Sequence, residues 1–145
     1  MKAILLFCFV VVSSGQWGTD FKHAKDEAHQ AHKLILLNFS GSDWCGPCIK
    51  LKRDILDNEE FLQFAQNKLV LVRADFPRNK KNQLSPEITS HNEALAEIYN
   101  KEGKFPYTVL LNADGEVLKE WDGFPKSLSI TSLMEDIESA SPKVR

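Results

Sequence analysis

Hydrophobic and polar positions follow two different periods along the chain, and the switches between them mark out the elements. Trp17, Phe21, Ala24, Ala28 and Ala31 recur at helical spacing, with Lys22, Lys25, Asp26, Glu27 and Gln30 on the other faces, so an amphipathic helix is predicted there. Leu34 to Phe39 is a nearly unbroken apolar run, the pattern of a central strand covered on both faces. Ser40-Gly41-Ser42-Asp43 breaks it. From Pro47 onward Ile49, Leu51 and Ile55, and later Phe61, Leu62 and Phe64, predict helix in two pieces. Asp57 and Glu60 are spaced as a capping box for the restart.

Leu69 to Asp75 predicts a second strand that stops at Phe76-Pro77, followed by a polar stretch, Arg78 to Gln83. Ser85 before Pro86 is an N-cap with proline at the first helical position, and that helix is expected to reach about Asn100, with Gly103 ending it. Tyr107 to Leu111 and Glu116 to Trp121 read as strands joined through Asn112-Ala113-Asp114-Gly115, a hairpin. Beyond Gly123-Phe124-Pro125, the spacing of Leu128, Leu133, Met134 and Ile137 predicts a closing amphipathic helix. Strands alternating with helices, then a hairpin and a helix, predict an α/β fold: a three-layer α/β/α sandwich with a central mixed sheet and a C-terminal β-hairpin plus helix.

Composition removes some classes. With 43% hydrophobic and 26% charged residues the chain is neither disordered nor fibrous, and a formal charge of −2 offers no electrostatic footprint for nucleic acid. Residues 1–15 stand apart. Lys2 precedes the apolar run Ala3 to Val12, and Ser13-Ser14-Gly15 supplies small residues for cleavage, so 1–15 is expected to be a secretory signal peptide and 16–145 a single domain. The run falls well short of the ~20 apolar residues a membrane span needs, so no membrane insertion of the mature chain is expected. Losing one lysine and no acid, the mature chain moves from −2 to −3.

Of the three cysteines, Cys8 lies in the signal, where Phe7 before it argues against lipid attachment; Cys45 and Cys48 remain in an exported, disulfide-permissive product. A bridge closing so short a loop removes little unfolded-chain entropy, so chemistry explains the pair better than stapling does. With no second cysteine pair, a four-ligand zinc site is incomplete, and no metal is expected. His23, His29 and His32 fall off the apolar stripe of their helix and read as a solvated face.

Trp44-Cys45-Gly46-Pro47-Cys48 sits between a strand and a helix start. The unpaired amides and positive dipole end of that helix favour a thiolate at Cys45, the candidate nucleophile. Cys48, one turn deeper, is placed to attack a mixed disulfide at Cys45 and release the partner. Pro47 costs no intrahelical hydrogen bond at an early position, and Gly46 leaves the approach to sulfur uncrowded.

On these residues the chain resembles the thioredoxin superfamily. WCGPC is identical to the thioredoxin motif, and the order of elements matches from Trp17 to Ala140. The segment NFSGSDWCGPCIKL looks like that of small exported thioredoxin-like proteins of bacteria. The resemblance implies the thioredoxin fold and a thiol–disulfide oxidoreductase that exchanges a Cys45–Cys48 dithiol with protein thiols or disulfides through a mixed disulfide at Cys45. Because the dithiol itself carries two electrons, no cofactor is expected. The family's cis-proline falls on Pro106, which implies that the backbone of Phe105 pairs with an extended substrate while Pro106 packs near the sulfurs, and Trp44 is expected to meet partners.

Two departures stand out. Asn38 occupies the strand position where thioredoxin carries a buried aspartate, leaving Asp43, if turned inward, as a candidate replacement. The connection from Phe76 to Ser90 is longer than thioredoxin's and holds Arg78, Lys80 and Lys81, either a solvated loop or a shaper of partner choice. Gly46-Pro47 tilts the expectation toward reduction, whereas an oxidising periplasmic or secreted setting requires an electron source, implied to be a membrane thiol reductant. The tail Ser141 to Arg145 carries no endoplasmic-reticulum retention signal. A monomer is expected. The rival reading is a client-binding chaperone or adaptor that grips polypeptide at Pro106 and Trp44, with redox turnover secondary.

Overall fold

Residues 16–142 are described by the structure, a computed structural model; the signal expected over 1–15, Cys8 and residues 143–145 lie outside the described residues. Four strands, β1 (Leu34–Ser40), β2 (Leu69–Asp75), β3 (Tyr107–Leu111) and β4 (Val117–Asp122), form one sheet in the order β2-β1-β3-β4. β1 runs parallel to β2 and antiparallel to β3, and β3 pairs antiparallel with β4 across a bulge at Leu110/Leu111. The expected mixed sheet and hairpin are both present.

Strand alternation sends Ile35, Leu37 and Phe39 to one side of the sheet, where α1 (Phe21–Ala31) and α4 (Pro86–Tyr99) bury Ala24, Ala28 and Leu95 against them. Leu36, Leu71 and Leu110 face the other side, covered by α2 (Gly46–Leu51), α3 (Glu59–Lys68) and α5 (Ile130–Ala140) through Leu51, Phe61, Leu133 and Ile137. The chain is therefore a three-layer sandwich with the thioredoxin fold. Leu34–Phe39 reads as a continuous apolar run because both layers need it.

Two expected boundaries move. The first helix starts at Phe21, not Trp17, because Asp20 caps it by accepting a hydrogen bond from the His23 amide at 2.9 Å. Before that cap the chain is extended beside β2, the Gly18 amide donating to the Leu71 carbonyl (2.8 Å) and the Arg73 amide to the Gly18 carbonyl (2.9 Å). Trp17 thus belongs to the opposite layer, its indole donating to the Leu56 carbonyl at 3.3 Å.

The second correction concerns the cap of α3. A π-helical turn at Lys52–Leu56 carries α2 onward, and Asn58, not Asp57, caps α3 by accepting from the Glu60 amide at 2.9 Å. Asp57, displaced from the cap, pairs with Lys52 and with Arg73. No helix among the described residues is long and apolar enough to cross a membrane.

Candidate active site

The parallel strands β1 and β2 end together at Ser40 and Asp75, and the chain leaves β1 at this end to enter α2. Cys45 is the N-cap residue of α2, with extended backbone, and its sulfur accepts from the Cys48 amide at 3.3 Å; Pro47 follows in the first turn, where it removes no helical bond. Cys45 and Cys48 are joined by a disulfide, their Cα atoms 5.2 Å apart. Both cysteines are buried, Cys45 at the cap 5% and Cys48 2% exposed, with Gly46 and Pro47 exposed between them.

Asp75 fixes the loop before the dithiol, its carboxylate accepting from the Ser42 amide (2.9 Å) and hydroxyl (2.5 Å). Gly41 lies directly under the Trp44 indole, in space that a Cβ would fill. The indole N–H donates to the Phe76 carbonyl at 2.7 Å, and Phe105 meets both Trp44 and Phe76 edge-on with centroids 5.4 Å away. The Phe105-Pro106 bond is cis and Pro106 is buried, its carbonyl accepting from the Gly123 amide at 2.9 Å. Trp44, Cys45, Gly46, Pro47 and Cys48 therefore form one loop and helix start, and Phe105, next to Pro106, packs on its tryptophan.

Asn38 is buried and donates to the Thr108 hydroxyl at 3.0 Å, linking β1 to β3 on the face that α2 covers. Arg73 is its register neighbour across β2. Its guanidinium lies over the Trp17 ring at 4.3 Å and reaches Asp57 at 3.4 Å, while burial pulls its pKa below the usual arginine value. Asp43 does not turn inward. Its carboxylate accepts from the Arg78 amide (2.9 Å), the Asn79 amide (2.8 Å) and the Asn82 side chain (3.0 Å), and those donors, the Arg78 amide foremost, hold its pKa below the ordinary carboxylate value. The candidate replacement for the buried aspartate is thus corrected: Asp43 clamps the connection that follows β2.

The clamp has a consequence that sequence reasoning did not reach. It brings the Arg78 guanidinium over the Trp44 indole at 3.7 Å, so the basic connection is fastened to the dithiol loop. Of the signals available, only an aspartate beside the motif and a basic residue after β2 could have hinted at it. On the other flank, Gly46, Pro47, Lys50, Asp54, Phe124, Pro125, Lys126 and Leu128 line an open groove of about 500 Å3. Far from this site, His29 pairs with Asp114 at 3.2 Å and His32 ends α1 in a left-handed conformation.

Comparisons with known proteins fall on this frame. A family model described as thioredoxin-like matches residues 16–113. The disulfide bond reductase DsbH of Chlamydia pneumoniae is 38% identical over 109 residues, covering 75% of this chain and 63% of DsbH; the thioredoxin-related protein DsbJ of the same organism is 31% identical over 96 residues, covering 66% and 27%. The chain thus matches less than two thirds of either relative's length. The solved structure of a DsbH oxidoreductase superposes with a TM-score of 0.77 at 32% identity, covering 97% of this chain and 94% of that one.

Proposed function

The chain belongs to the thioredoxin-like family, within the thioredoxin superfamily of thiol–disulfide oxidoreductases, and from that premise we propose that it reduces protein disulfides through Cys45 and Cys48. The observation that carries the reading is the Cys45–Cys48 bridge at the N-cap of α2, with Cys45 at the cap and Cys48 within the first turn. In the reduced protein the Cys45 thiolate attacks a substrate disulfide. A Cys45–substrate S–S bond forms, the substrate S–S bond breaks, and the leaving thiolate takes a proton. The Cys48 thiolate then attacks Cys45 sulfur, re-forming the bridge and releasing the second substrate thiol. The substrate gains two electrons and two protons, and an external dithiol reductant must return them to the bridge.

Reduction is the favoured direction: the Gly-Pro pair between the cysteines is thioredoxin's, and the relative that shares 38% identity is a disulfide bond reductase. Trp44, Gly46, Pro47, Phe105 and Pro106 are assigned to the substrate side, around the Cys45 sulfur. Residues 1–15 are assigned as the export signal and 16–145 as one domain, monomeric, acting outside the cytoplasm and recycled by a membrane thiol reductant.

The Cys48→Ser variant tests the mechanism. It should accumulate disulfide-linked substrate adducts on Cys45 that added thiol releases; only non-covalent complexes would favour the client-binding module instead. Equilibration against thiol buffers tests direction. A potential near thioredoxin's, about −270 mV, supports a reductase, and one near −120 mV would make the protein an oxidant.

A further inference from the structure

We propose that the surface around Cys45 selects disulfides whose flanking sequence is acidic, an inference that rests on the oxidoreductase reading above and names its substrate class. On the dithiol loop, its helix and the neighbouring strand ends, the carboxylates are taken up internally. Asp43 is held by two backbone amides and Asn82, and Asp75 by Ser42. Asp54 is held by Nε and Nη2 of Arg53, Asp57 by Lys52 and Arg73, and Asp122 by Lys104.

Lys52, Arg53, Arg73 and Lys104 are spent in those pairs, but three further cations of the same surface are not. Among the described residues, Arg78, Lys50 and Lys126 have no carboxylate within ion-pair distance. Lys50 and Lys126 line the groove beside Gly46 and Pro47; the one carboxylate in that lining, Asp54, is bound by Arg53 and sits in the field of Lys50, which leaves the groove with an excess of positive charge. Arg78 stands on Trp44, the residue before Cys45, with Lys80 and Lys81 exposed two and three positions further along the chain. A chain of formal charge −2 has therefore concentrated free positive charge where a substrate cysteine must arrive.

Arg78 is the most specific of these groups. Stacking engages the face of its guanidinium, and the in-plane N–H donors remain available for a fork-like pair of bonds to a carboxylate. Its backbone amide is tied to Asp43 and its platform, Trp44, is tied to Phe76, so little freedom is lost when a ligand arrives. The occupant that fits is an extended polypeptide with Asp or Glu within a few residues of its cysteine. The same field speeds the encounter by steering.

The test uses the full chain, reduced, in single-turnover reactions with three disulfide-linked peptides of equal length, whose cysteines are flanked by Glu, Gln or Lys. The acidic peptide should react about tenfold faster than the neutral one at low salt, with most of that ratio lost at 0.5 M salt, and the basic peptide should be slowest. Arg78→Gln combined with Lys126→Gln should bring the acidic-to-neutral ratio toward one, whereas Lys22→Gln on α1 should leave the ratio as it is. Equal rates for all three peptides overturn the acidic preference and leave the oxidoreductase reading standing. An acidic preference that survives both substitutions overturns its assignment to these residues. Failure of every peptide to react overturns the oxidoreductase reading itself, and this inference with it.

Discussion

Replacing Gly41 with alanine is the sharpest test of how the dithiol loop is held. Gly41 has no need of a left-handed backbone; its requirement is space, because a Cβ there would overlap the Trp44 indole. Its carbonyl also accepts the Cys45 amide at 2.9 Å, so the backbone is poorly placed to retreat and the indole must move. Displacing the ring loses the bond to the Phe76 carbonyl, about 1 kcal/mol. It also loses the edge contact with Phe105, about 1 kcal/mol, and the Arg78 stack, about 0.5–1 kcal/mol. Against this, alanine restricts the unfolded chain and returns about 0.4–1 kcal/mol. The net expectation is a loss of roughly 1.5–2.5 kcal/mol in urea unfolding at neutral pH, together with a shift of the Trp44 indole N–H resonance. A Gly41→Ala protein within 0.5 kcal/mol of the parent by that assay, its Trp44 resonance unmoved, would refute the claim that this glycine exists to seat the tryptophan.

Other expectations follow from the same contacts. Thr108→Val leaves the buried Asn38 amide without its acceptor and should cost about 1–3 kcal/mol by denaturant unfolding, with little change in the far-ultraviolet spectrum. Ile137→Ala, at a fully buried position of α5, should cost about 2–5 kcal/mol; a cost below 1 kcal/mol would mean that α5 is not anchored through that residue. Because the folded pKa of Asp43 is held below its ordinary 3.8, its contribution is present above that value and is lost as pH falls through the lower one. Protection of the Arg78 and Asn79 amides should therefore begin to fall only below about pH 4, and an Asp43→Ala variant that kept their full protection at pH 7 would contradict the clamp. At the alkaline end burial raises both tyrosines, Tyr107 to about 12, so tyrosinate absorbance of the folded protein at pH 10 should fall below that of the unfolded chain. Stability should fall as pH rises from the ordinary tyrosine value, because the unfolded chain releases those protons first.

Where the sequence was informative, a local pattern had a local cause. The run Leu34–Phe39 is apolar because two helical layers meet on β1, and the Ser85-Pro86 start of α4 is legible because a cap acts within one turn. The dithiol was legible for the same reason, its cysteines, glycine and proline lying in five consecutive positions. The misplacements arose where a distant partner decided the matter. Trp17 matches the helical period of Phe21 and Ala24, yet Gly18 pairs with β2 and draws the tryptophan into the opposite layer. Asp57 matches a capping box, but a π-turn adds a residue to the preceding helix and passes the cap to Asn58.

Asp43 shows why the missed part of the site bears on function. As the acid nearest the cysteines in sequence, it was the natural candidate to stand in for a buried aspartate, and Asn38 cannot accept a proton in that role. In the fold its carboxylate is consumed by donors 35 to 39 positions away, which both lowers its pKa and removes it from the interior. No carboxylate then occupies the Asn38 position beneath α2, and in the mechanism proposed above the proton of Cys48 passes to water or another group. The same three hydrogen bonds bring Arg78 onto Trp44. One acidic side chain thus gives up proton transfer on the inside and supplies a fixed cation on the outside. The local motif carries the sulfur chemistry proposed for this chain, while a contact with no local signature carries the proposed preference for acidic substrates.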